Sequence, residues 1–311
     1  MPPDPLRAAS ILRHTSTRAT PIGGRDGSSG ARKRHLVICR PGRTSIHRLW
    51  LGDAATRSYD VWLDAWDDDA PWRGDPARVS VHRGTPLGPG VAALVAERPE
   101  ALEYEAVFFP DDDVEMTPSD VERLFEIRRE LDLDLLQPAL RDDSYYSHAI
   151  TLWNHSFEVR FTNFVEIMCP LFSRAAFAAC LPVIGEDETG WVADKVWPRL
   201  LGLPRDRIAI VDAIPVRHVR PIGGNSQYAR FGGEFQSRRQ VLAERWGVSD
   251  LQNQFRHAGG IPRGGPLSRD AILPAGMRFA WLFVRGAPRS RLLDRRFWSR
   301  ALRSLRGWRA P

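Results

Sequence analysis

The sequence predicts an α/β fold of the Rossmann-like class: a mostly parallel central sheet flanked by helices, in a single catalytic domain with basic tails. Short apolar runs alternate with helix-length segments from His35 onward, which is typical of a doubly wound sheet. One apolar run, Ala106 to Phe109, leads into three consecutive aspartates. The chain has 311 residues, 43% of them hydrophobic and 26% charged, which is enough for the sizeable core of a soluble globular protein.

Four apolar runs in the first part of the chain predict strands. They are His35 to Arg40, Tyr59 to Trp66, Ala77 to Val81 and Ala106 to Phe109. The segment 89–98, before the fourth run, predicts a helix. The carboxyl ends of parallel strands meet at one edge, so the polar turns after these runs would line one rim. A Gly-x-Gly-x-x-Gly fingerprint and a phosphate loop are both missing from the sequence, which disfavours hydride transfer and P-loop chemistry.

The triplet Asp111 to Asp113 is the feature on which the functional interpretation depends. Carboxylates at the end of a buried strand are expensive unless a cation or a donor accompanies them. Hard divalent cations prefer oxygen ligands, so the triplet indicates a metal site beside a phosphate. The alternative is an acidic turn before a helix, because 117–120 has the composition of a helix start.

The middle of the chain continues the alternation. A helix is predicted over 119–131, a strand over 133–140, a helix over 173–181 and a strand over 207–212. Between them lie an aromatic and histidine-rich region (145–155), an apolar run that contains Glu166 (162–172), and an acidic loop bounded by glycines (185–194).

Charge and composition suggest four regions. Residues 1–34 carry seven basic and two acidic groups and are rich in proline, glycine, serine and threonine. This composition predicts a disordered basic segment. We expect a catalytic domain over 35–230 and a helical and loop extension over 231–288. Residues 289–311 carry eight arginines and one aspartate, and their apolar residues have helical spacing. This basic amphipathic tail either docks on the body or contacts the membrane surface.

The location predicted from the sequence is the cytoplasm, with peripheral contact to the inner face of the membrane through the basic C-terminal tail as a further option. No stretch approaches the roughly 20 apolar residues of a spanning helix, and Cys39, Cys169 and Cys180 form no disulfide or zinc pattern. Basic ends on an acidic body fit anionic lipid or a partner better than nucleic acid.

Six segments carry a resemblance to a known family. They are 108–114, 136–140, 147–148, 164–174, 190–194 and 211–218. Their order resembles that of the family called domain of unknown function 707, which itself looks like metal-dependent glycosyltransferases of the GT-A fold. The resemblance covers about residues 35–225. Where the family pattern has Gly-Trp-Gly-Leu-Asp, this chain has Gly-Trp-Val-Ala-Asp, which keeps Asp194.

The resemblance implies a GT-A-like domain with a site for Mn²⁺ or Mg²⁺. Asp111, Asp113 and His218 would be the metal ligands. Without the triplet, His218 would be read as a histidine at a strand end.

The resemblance also implies a site for a nucleotide-sugar donor. Four residues are expected to contact it: Asp111, Asp112, Arg83 and Trp191. An aromatic ring such as Trp191 can stack on a sugar, although most such rings belong to a core.

Two further carboxylates are candidate catalytic residues. Asp194 is the expected base for an acceptor hydroxyl, and a helix N-cap is the alternative. Glu166 lies in an apolar run and needs a partner or a function. It either orients the acceptor or forms a structural pair with an arginine such as Arg160 or Arg174.

These residues predict a glycosyltransferase that moves a sugar from a nucleotide sugar to a glycan or other hydroxyl acceptor, for instance in polysaccharide biosynthesis. A divalent ion offsets the charge that develops on a leaving diphosphate, and a carboxylate on the other side accepts the proton of the acceptor if configuration inverts. Two alternatives stay open: a non-catalytic nucleotide- or glycan-binding domain of the same fold, and a metal-dependent phosphohydrolase.

Overall fold

A computed structural model of the chain describes residues 32–67, 78–222, 232–248, 255–288, 290 and 294–305. Most of the predicted disordered segment 1–34 lies outside the described residues, whereas residues 290 and 294–305 of the tail 289–311 are described. Within the described part, a central β-sheet with helices on both faces organises the chain.

The described residues contain eleven strands. They are β1 (His35–Cys39), β2 (Tyr59–Ala65), β3 (Arg78–Val81), β4 (Ala106–Phe108), β5 (Val114–Glu115), β6 (Leu135–Leu140), β7 (Phe157–Thr162), β8 (Leu171–Ser173), β9 (Ile208–His218), β10 (His257–Pro262) and β11 (Leu273–Pro274). Their order across the sheet is β11-β10-β7-β9-β6-β8-β4-β1-β2-β3, and β5 pairs with β9.

The strand directions confirm the predicted mostly parallel sheet. Strands β1, β2, β3, β4, β6, β9 and β10 run in one direction. Strands β7, β8 and β11 run in the other. The order reverses at β1, because β2 and β3 extend the sheet to one side of it and β4 lies on the other. In doubly wound sheets such a switch point opens a crevice at the carboxyl ends of the strands, where ligands bind.

The helices of the described residues are α1 (Leu87–Glu97), α2 (Pro118–Glu130), α3 (Arg174–Glu186), α4 (Ala193–Leu200), α5 (Phe235–Arg245), α6 (Met277–Arg285) and α7 (Arg295–Ser304). Short 3₁₀ turns include His47–Trp50 and Ala149–Thr151. Helix α2 begins in a capping box, in which Thr117 and Asp120 each accept a hydrogen bond from the backbone N–H of the other.

Both faces of the sheet are buried, as expected for parallel strands covered by helices. Successive residues of β1 alternate between two cores: Val37 and Cys39 belong to one, and Leu36 and Ile38 to the other. The first core contains side chains of α2, α6 and α7. The second contains side chains of α1, α3, α4 and α5. This packing fixes the strands whose ends build the site.

Three segments differ in detail from the elements that the sequence predicts. The apolar run 162–172 is mostly a buried loop, with β7 ending at its start and β8 beginning at Leu171. The region predicted as a helical and loop extension also contributes β10, which pairs with β7 in the central sheet. The short apolar run 279–284 belongs to helix α6.

Among the described residues, no helix is long and apolar enough to cross a membrane.

Candidate active site

A cleft opens at the carboxyl edge of the sheet, at the switch point between β1 and β4. Its empty volume is about 1160 Å³, which includes space open to solvent. It is lined by residues 40, 66, 86–88, 110–113, 147–148, 166–168, 187–191, 194, 218 and 220–222.

Backbone hydrogen bonds fix the Asp111 to Asp113 triplet at this edge. The N–H of Asp111 donates to the carbonyl of Met168 at 2.7 Å. The side chain of Asp112 turns toward the end of β1, where its Oδ2 accepts from the N–H of Gly42 at 2.7 Å. Gly42 has room only for hydrogen, since a Cβ there would lie 2.4 Å from Nε1 of Trp66. Two separate segments, one at Met168 and one at Gly42, therefore hold the triplet in place.

Strand β5 attaches the triplet to the far end of β9. Val114 pairs with His218 in antiparallel register, and the N–H of Val219 donates to the carbonyl of Asp113 at 3.1 Å. This pairing places residues separated by a hundred positions in sequence side by side. It explains how His218, at the last position of β9, reaches the acidic cluster.

Asp111, Asp113 and His218 form a group that could hold a metal ion. One ligand atom from each lies within 4.8 Å of those of the other two. Nδ1 of His218 lies 2.9 Å from the carbonyl oxygen of Tyr145, and Nε2 lies 3.1 Å from Oδ2 of Asp113. A ring nitrogen that donates to a carbonyl fixes the tautomer and leaves the other nitrogen free to ligate.

The electrostatics of this group fit a bound cation. Burial and the charge of Asp113 raise the pKa of Asp111 well above its usual range. Burial alone would also raise the pKa of Asp113, but His218 and Arg220 hold it below its ordinary value. Burial alone would lower the pKa of His218, but its hydrogen bond with Asp113 raises that pKa to about 9. Two crowded carboxylates beside an imidazole are a donor set in which a divalent ion replaces the proton.

Arg220 is a site residue that sequence reasoning missed. Its Nε donates to Oδ2 of Asp113 at 2.8 Å, and its Nη2 contacts Oδ1 of Asp112. Arg220 therefore offsets part of the negative charge of the triplet. The sequence carries a weak signal of this role, since Arg217-His218-Val219-Arg220 comes shortly after the predicted strand 207–212.

Glu166 lies in the same cleft, and its environment is unusual for a carboxylate. Its backbone N–H donates to Oε1 of Gln137 at 2.6 Å, which fixes the loop. Its Oε2 is buried and has no hydrogen-bond partner among the described residues. Burial and the charge of Asp194 raise the pKa of Glu166 to about 7. A carboxyl group with that pKa can gain or lose a proton near neutral pH.

Among the described residues, the alternative structural pair of Glu166 with an arginine is not formed. Arg160 instead makes a bidentate ion pair with Asp212, with its Nε 2.6 Å from Oδ2. Arg174 donates to the backbone carbonyls of Glu103 and Tyr104. Both arginines therefore bind partners other than Glu166, and Glu166 lines the cleft.

Asp194 is buried in the cleft in the first turn of α4, and it is not the N-cap, which is Val192. Lys195 Nζ donates to its Oδ1 at 2.9 Å. Burial raises the pKa of Asp194, although the charge of Lys195 opposes this. Its neighbour Trp191 also lines the cleft, with the guanidinium of Arg239 5.4 Å from the ring centroid.

Asp187 shapes the loop that carries Trp191 and Asp194. Its Oδ2 accepts from the N–H groups of Val192 and Ala193, both at 2.8 Å, and its Oδ1 accepts from the N–H of Gly190 at 2.9 Å. It thereby caps the start of α4 from a distance. The sequence placed this residue in an acidic loop but gave no indication of its role.

The structure does not bring Arg83 to the cleft: it lies in an exposed turn after β3 and is not among the lining residues. The arginine at the cleft is Arg40, directly after β1. Its Nε donates to Oδ2 of the buried Asp64 at 2.7 Å, and its Nη1 donates to the carbonyl of Pro86 at 2.7 Å. A β1 residue is closer to the switch point than a β3 residue, which is the physical reason for the difference.

The chain is similar in structure to a bacterial protein. The crystal structure of S. aureus TarS 1-349 in complex with UDP-GlcNAc matches at 11% identity and a TM-score of 0.45, over 68% of this chain and 66% of that chain. A crystal structure of S. aureus TarS matches at 12% identity and a TM-score of 0.42, over 70% of this chain and 43% of that chain. These values establish no correspondence between individual residues.

Comparison by sequence gives two results. No curated protein sequence matches the chain. The family model described as protein of unknown function (DUF707) matches residues 57–255, which is more than half of the chain and includes nearly all residues of the cleft, and the chain belongs to this family.

Proposed function

We propose that the protein is a glycosyltransferase, which moves a sugar from a nucleotide-sugar donor to a hydroxyl group of a glycan or another acceptor. The observation that carries this proposal is the grouping of Asp111, Asp113 and His218 at the switch point of the sheet. A diphosphate bound at this edge would meet the ligand set of a divalent cation. The expected cofactor is Mn²⁺ or Mg²⁺, because two of the three candidate ligands are carboxylates, which suit these ions.

The residues on one side of the cleft would bind the donor, and those on the other side would bind the acceptor. Asp111, Asp113 and His218 would hold the cation, which when bound supplies positive charge to a leaving diphosphate. Arg220 lies beside them and keeps Asp113 ionised. Asp112 is engaged with Gly42 and Arg220, so we assign it to positioning the end of β1 beside the donor.

The other side of the cleft would receive the acceptor. Glu166 and Asp194 both face it, and they differ in their partners. Asp194 is paired with Lys195, whereas Oε2 of Glu166 has no partner in the described part of the chain. We therefore assign Glu166 as the base that takes the proton of the acceptor hydroxyl. Asp194 and Lys195 would orient the acceptor, and Trp191 offers a ring for a sugar face.

A thermal-shift experiment tests the donor site directly. UDP and GDP would be added to the full chain with and without Mn²⁺. We expect the unfolding temperature to rise only when nucleotide and metal are present together, because the diphosphate and the cation bind to each other as well as to the protein. Asp113→Ala should abolish this rise, since it removes one metal ligand and the partner of His218.

A control variant outside the cleft tests whether the effect of Asp113→Ala is specific, and two results would contradict the proposal. Glu126→Ala removes an exposed carboxylate of α2 outside the cleft and should leave the stabilisation unchanged. Stabilisation of the Asp113→Ala variant equal to that of the wild type would remove the metal assignment. Binding without release of nucleoside diphosphate from any nucleotide sugar would favour a non-catalytic binding domain.

A further inference from the structure

Helix α6 exposes a row of apolar side chains. The exposed fractions are 92% for Met277, 59% for Trp281 and 44% for Val284. Single exposed apolar residues are common on protein surfaces. These three occupy positions i, i+4 and i+7 of one helix, so they lie along one stripe. A stripe that includes a tryptophan is the kind of exposed apolar surface that marks a contact site.

The exposure does not come from a loosely attached helix. Phe279 and Phe283, on the opposite side of α6, are buried in the first core. The ring centroid of Phe279 lies 4.8 Å from that of Phe157 in β7. Asn154 Nδ2 donates to the carbonyl of Phe283 at 2.8 Å. One side of the helix is therefore docked on the sheet, and the other side is left outward.

Arginines border the apolar row. Arg278 and Arg285 are both exposed, and their positions in the helix place them beside the stripe. The guanidinium of Arg285 lies 5.2 Å from the centroid of the Trp281 ring. Residues 271–311 contain ten arginines and a single acidic residue, Asp294. Helix α6 and the chain that follows it are thus strongly positive in sequence.

Helix α7 has a different construction. Phe297 and Ala301 are buried against the body, and the helix packs on the 3₁₀ turn Ala149–Thr151. Its exposed positions are mainly arginines: Arg295, Arg296, Arg300 and Arg303. The described helix of the tail, Arg295–Ser304, is therefore docked on the body, which is one of the two expectations for this segment. Helix α7 thus supplies positive charge without an exposed apolar row. The apolar face is on α6.

We infer that the outward face of α6 docks on a membrane surface that contains anionic lipids. Met277, Trp281 and Val284 would enter the boundary between headgroups and acyl chains, and Arg278 and Arg285 would contact lipid phosphates. An amphipathic helix with a tryptophan on its apolar side and arginines beside it binds in this way. The absence of acidic residues from the sequence of α6 favours anionic lipid over a basic or neutral partner.

Vesicle flotation with the full chain tests this inference. The probes are vesicles of phosphatidylcholine alone and vesicles that also contain phosphatidylglycerol. We expect binding to the anionic vesicles, with little binding to phosphatidylcholine. The variant Met277→Ser/Trp281→Ser/Val284→Ser should weaken binding at least about tenfold, because it removes the inserted apolar groups. Arg278→Gln and Arg285→Gln should each weaken it about fivefold at low salt.

The control is Val241→Ser, which removes an apolar side chain of α5 with 57% exposure. It should leave vesicle binding unchanged. All of these side chains are exposed, so the unfolding temperature should stay that of the wild type, which separates lost binding from lost folding.

Three outcomes would overturn the inference. The first is equal vesicle binding by the wild type and the triple serine variant. The second is loss of binding only when the arginines of α7 are replaced. The third is a wild-type dimer, seen by analytical ultracentrifugation, that the triple serine variant converts to a monomer without any vesicle binding. That result would assign the face to a second copy of the chain.

Discussion

At the scale of single residues, the carboxylates of the cleft lie in different environments, which shift their pKa values in opposite directions. Asp113 is held ionised by His218 and Arg220, whereas burial raises the pKa of Glu166 to about 7. Groups whose surroundings push their pKa values apart are candidates for different chemical roles. In the proposed reaction, one carboxylate therefore stays charged beside the donor, and the other exchanges a proton with the acceptor.

This division predicts the behaviour of two amide variants. Glu166→Gln should lower turnover by about 10²–10⁴-fold, because it removes the proposed base, while Mn²⁺-dependent stabilisation by nucleotide stays unchanged. Asp194→Asn should have a smaller effect on turnover and should raise the KM for the acceptor, since it weakens the pair with Lys195. Steady-state kinetics with a nucleotide sugar would measure both. Full turnover by Glu166→Gln with loss in Asp194→Asn would exchange the two assignments.

Some of these residues could be predicted from the sequence, and others could not. The adjacent aspartates and the late histidine stand out because their types and spacing match a family pattern. Arg220 and Lys195 do not stand out, because their roles depend on which carboxylates lie beside them in space. Arg83 does not line the cleft: the sequence shows that basic residues follow strands, but only the strand order shows that β1 borders the cleft.

At the scale of elements, the pairing of β1 with α2 includes a buried histidine. His35 is 5% exposed, and its ring stacks on that of Phe125 with centroids 4.3 Å apart and an interplanar angle of 7°. Burial and the charges of nearby arginines lower the pKa of His35 to about 4. In the unfolded chain a histidine has a pKa near ~6.5. The fold therefore holds this imidazole neutral at pH values where the unfolded chain would protonate it.

Acid should destabilise the protein through His35. As the pH falls below about 6.5, the unfolded chain gains a proton that the folded chain does not accept until about pH 4, and each pH unit in this window costs about 1.4 kcal/mol. Between pH 7 and pH 5 the wild type should lose about 2 kcal/mol more than His35→Phe, which keeps a ring beside Phe125 but cannot titrate. Urea unfolding at the two pH values measures this. Equal losses in the two proteins would contradict it.

The elements themselves were predictable to different degrees. Strands β1, β2, β4 and β6 are short apolar runs bounded by turn residues, so their composition reveals them. The loop 163–170 is as apolar as a strand, because burial beneath the cleft, rather than sheet pairing, selects its residues. Strand β5 has two residues and exists only through its pairing with β9. No local sequence pattern predicts a strand of this kind.

At the scale of the whole molecule, one buried ion pair connects the sheet to the C-terminal helices. Arg160 of β7 and Asp212 of β9 are 1% and 0% exposed. Arg160 also donates to the carbonyls of Ile150 and Leu152, and Asp212 accepts from the N–H of Asn154, whose side chain binds α6. Strands β7 and β9, the turn around 150 and α6 therefore meet at this pair.

Breaking this pair from one side should be costly. Asp212→Ala would leave the Arg160 guanidinium buried without its counter-charge, and the free energy of unfolding should fall by about 3–5 kcal/mol. Arg160→Met/Asp212→Leu should recover much of this loss, because neither charge remains. Denaturant unfolding of the two variants measures the difference. A loss below about 1 kcal/mol for Asp212→Ala would contradict the structural role.

The pairing of β5 with β9 has a consequence for assembly. The carboxylates after β4 come early in the chain, but the imidazole proposed to complete their set of metal ligands belongs to His218, the last residue of β9. A fragment that ends before β9 would contain the crowded negative charges of the aspartate triplet without the imidazole of His218 beside them. Binding of Mn²⁺ during refolding would thus indicate that the two halves of the chain have packed together. The bound ion would then stabilise the completed fold.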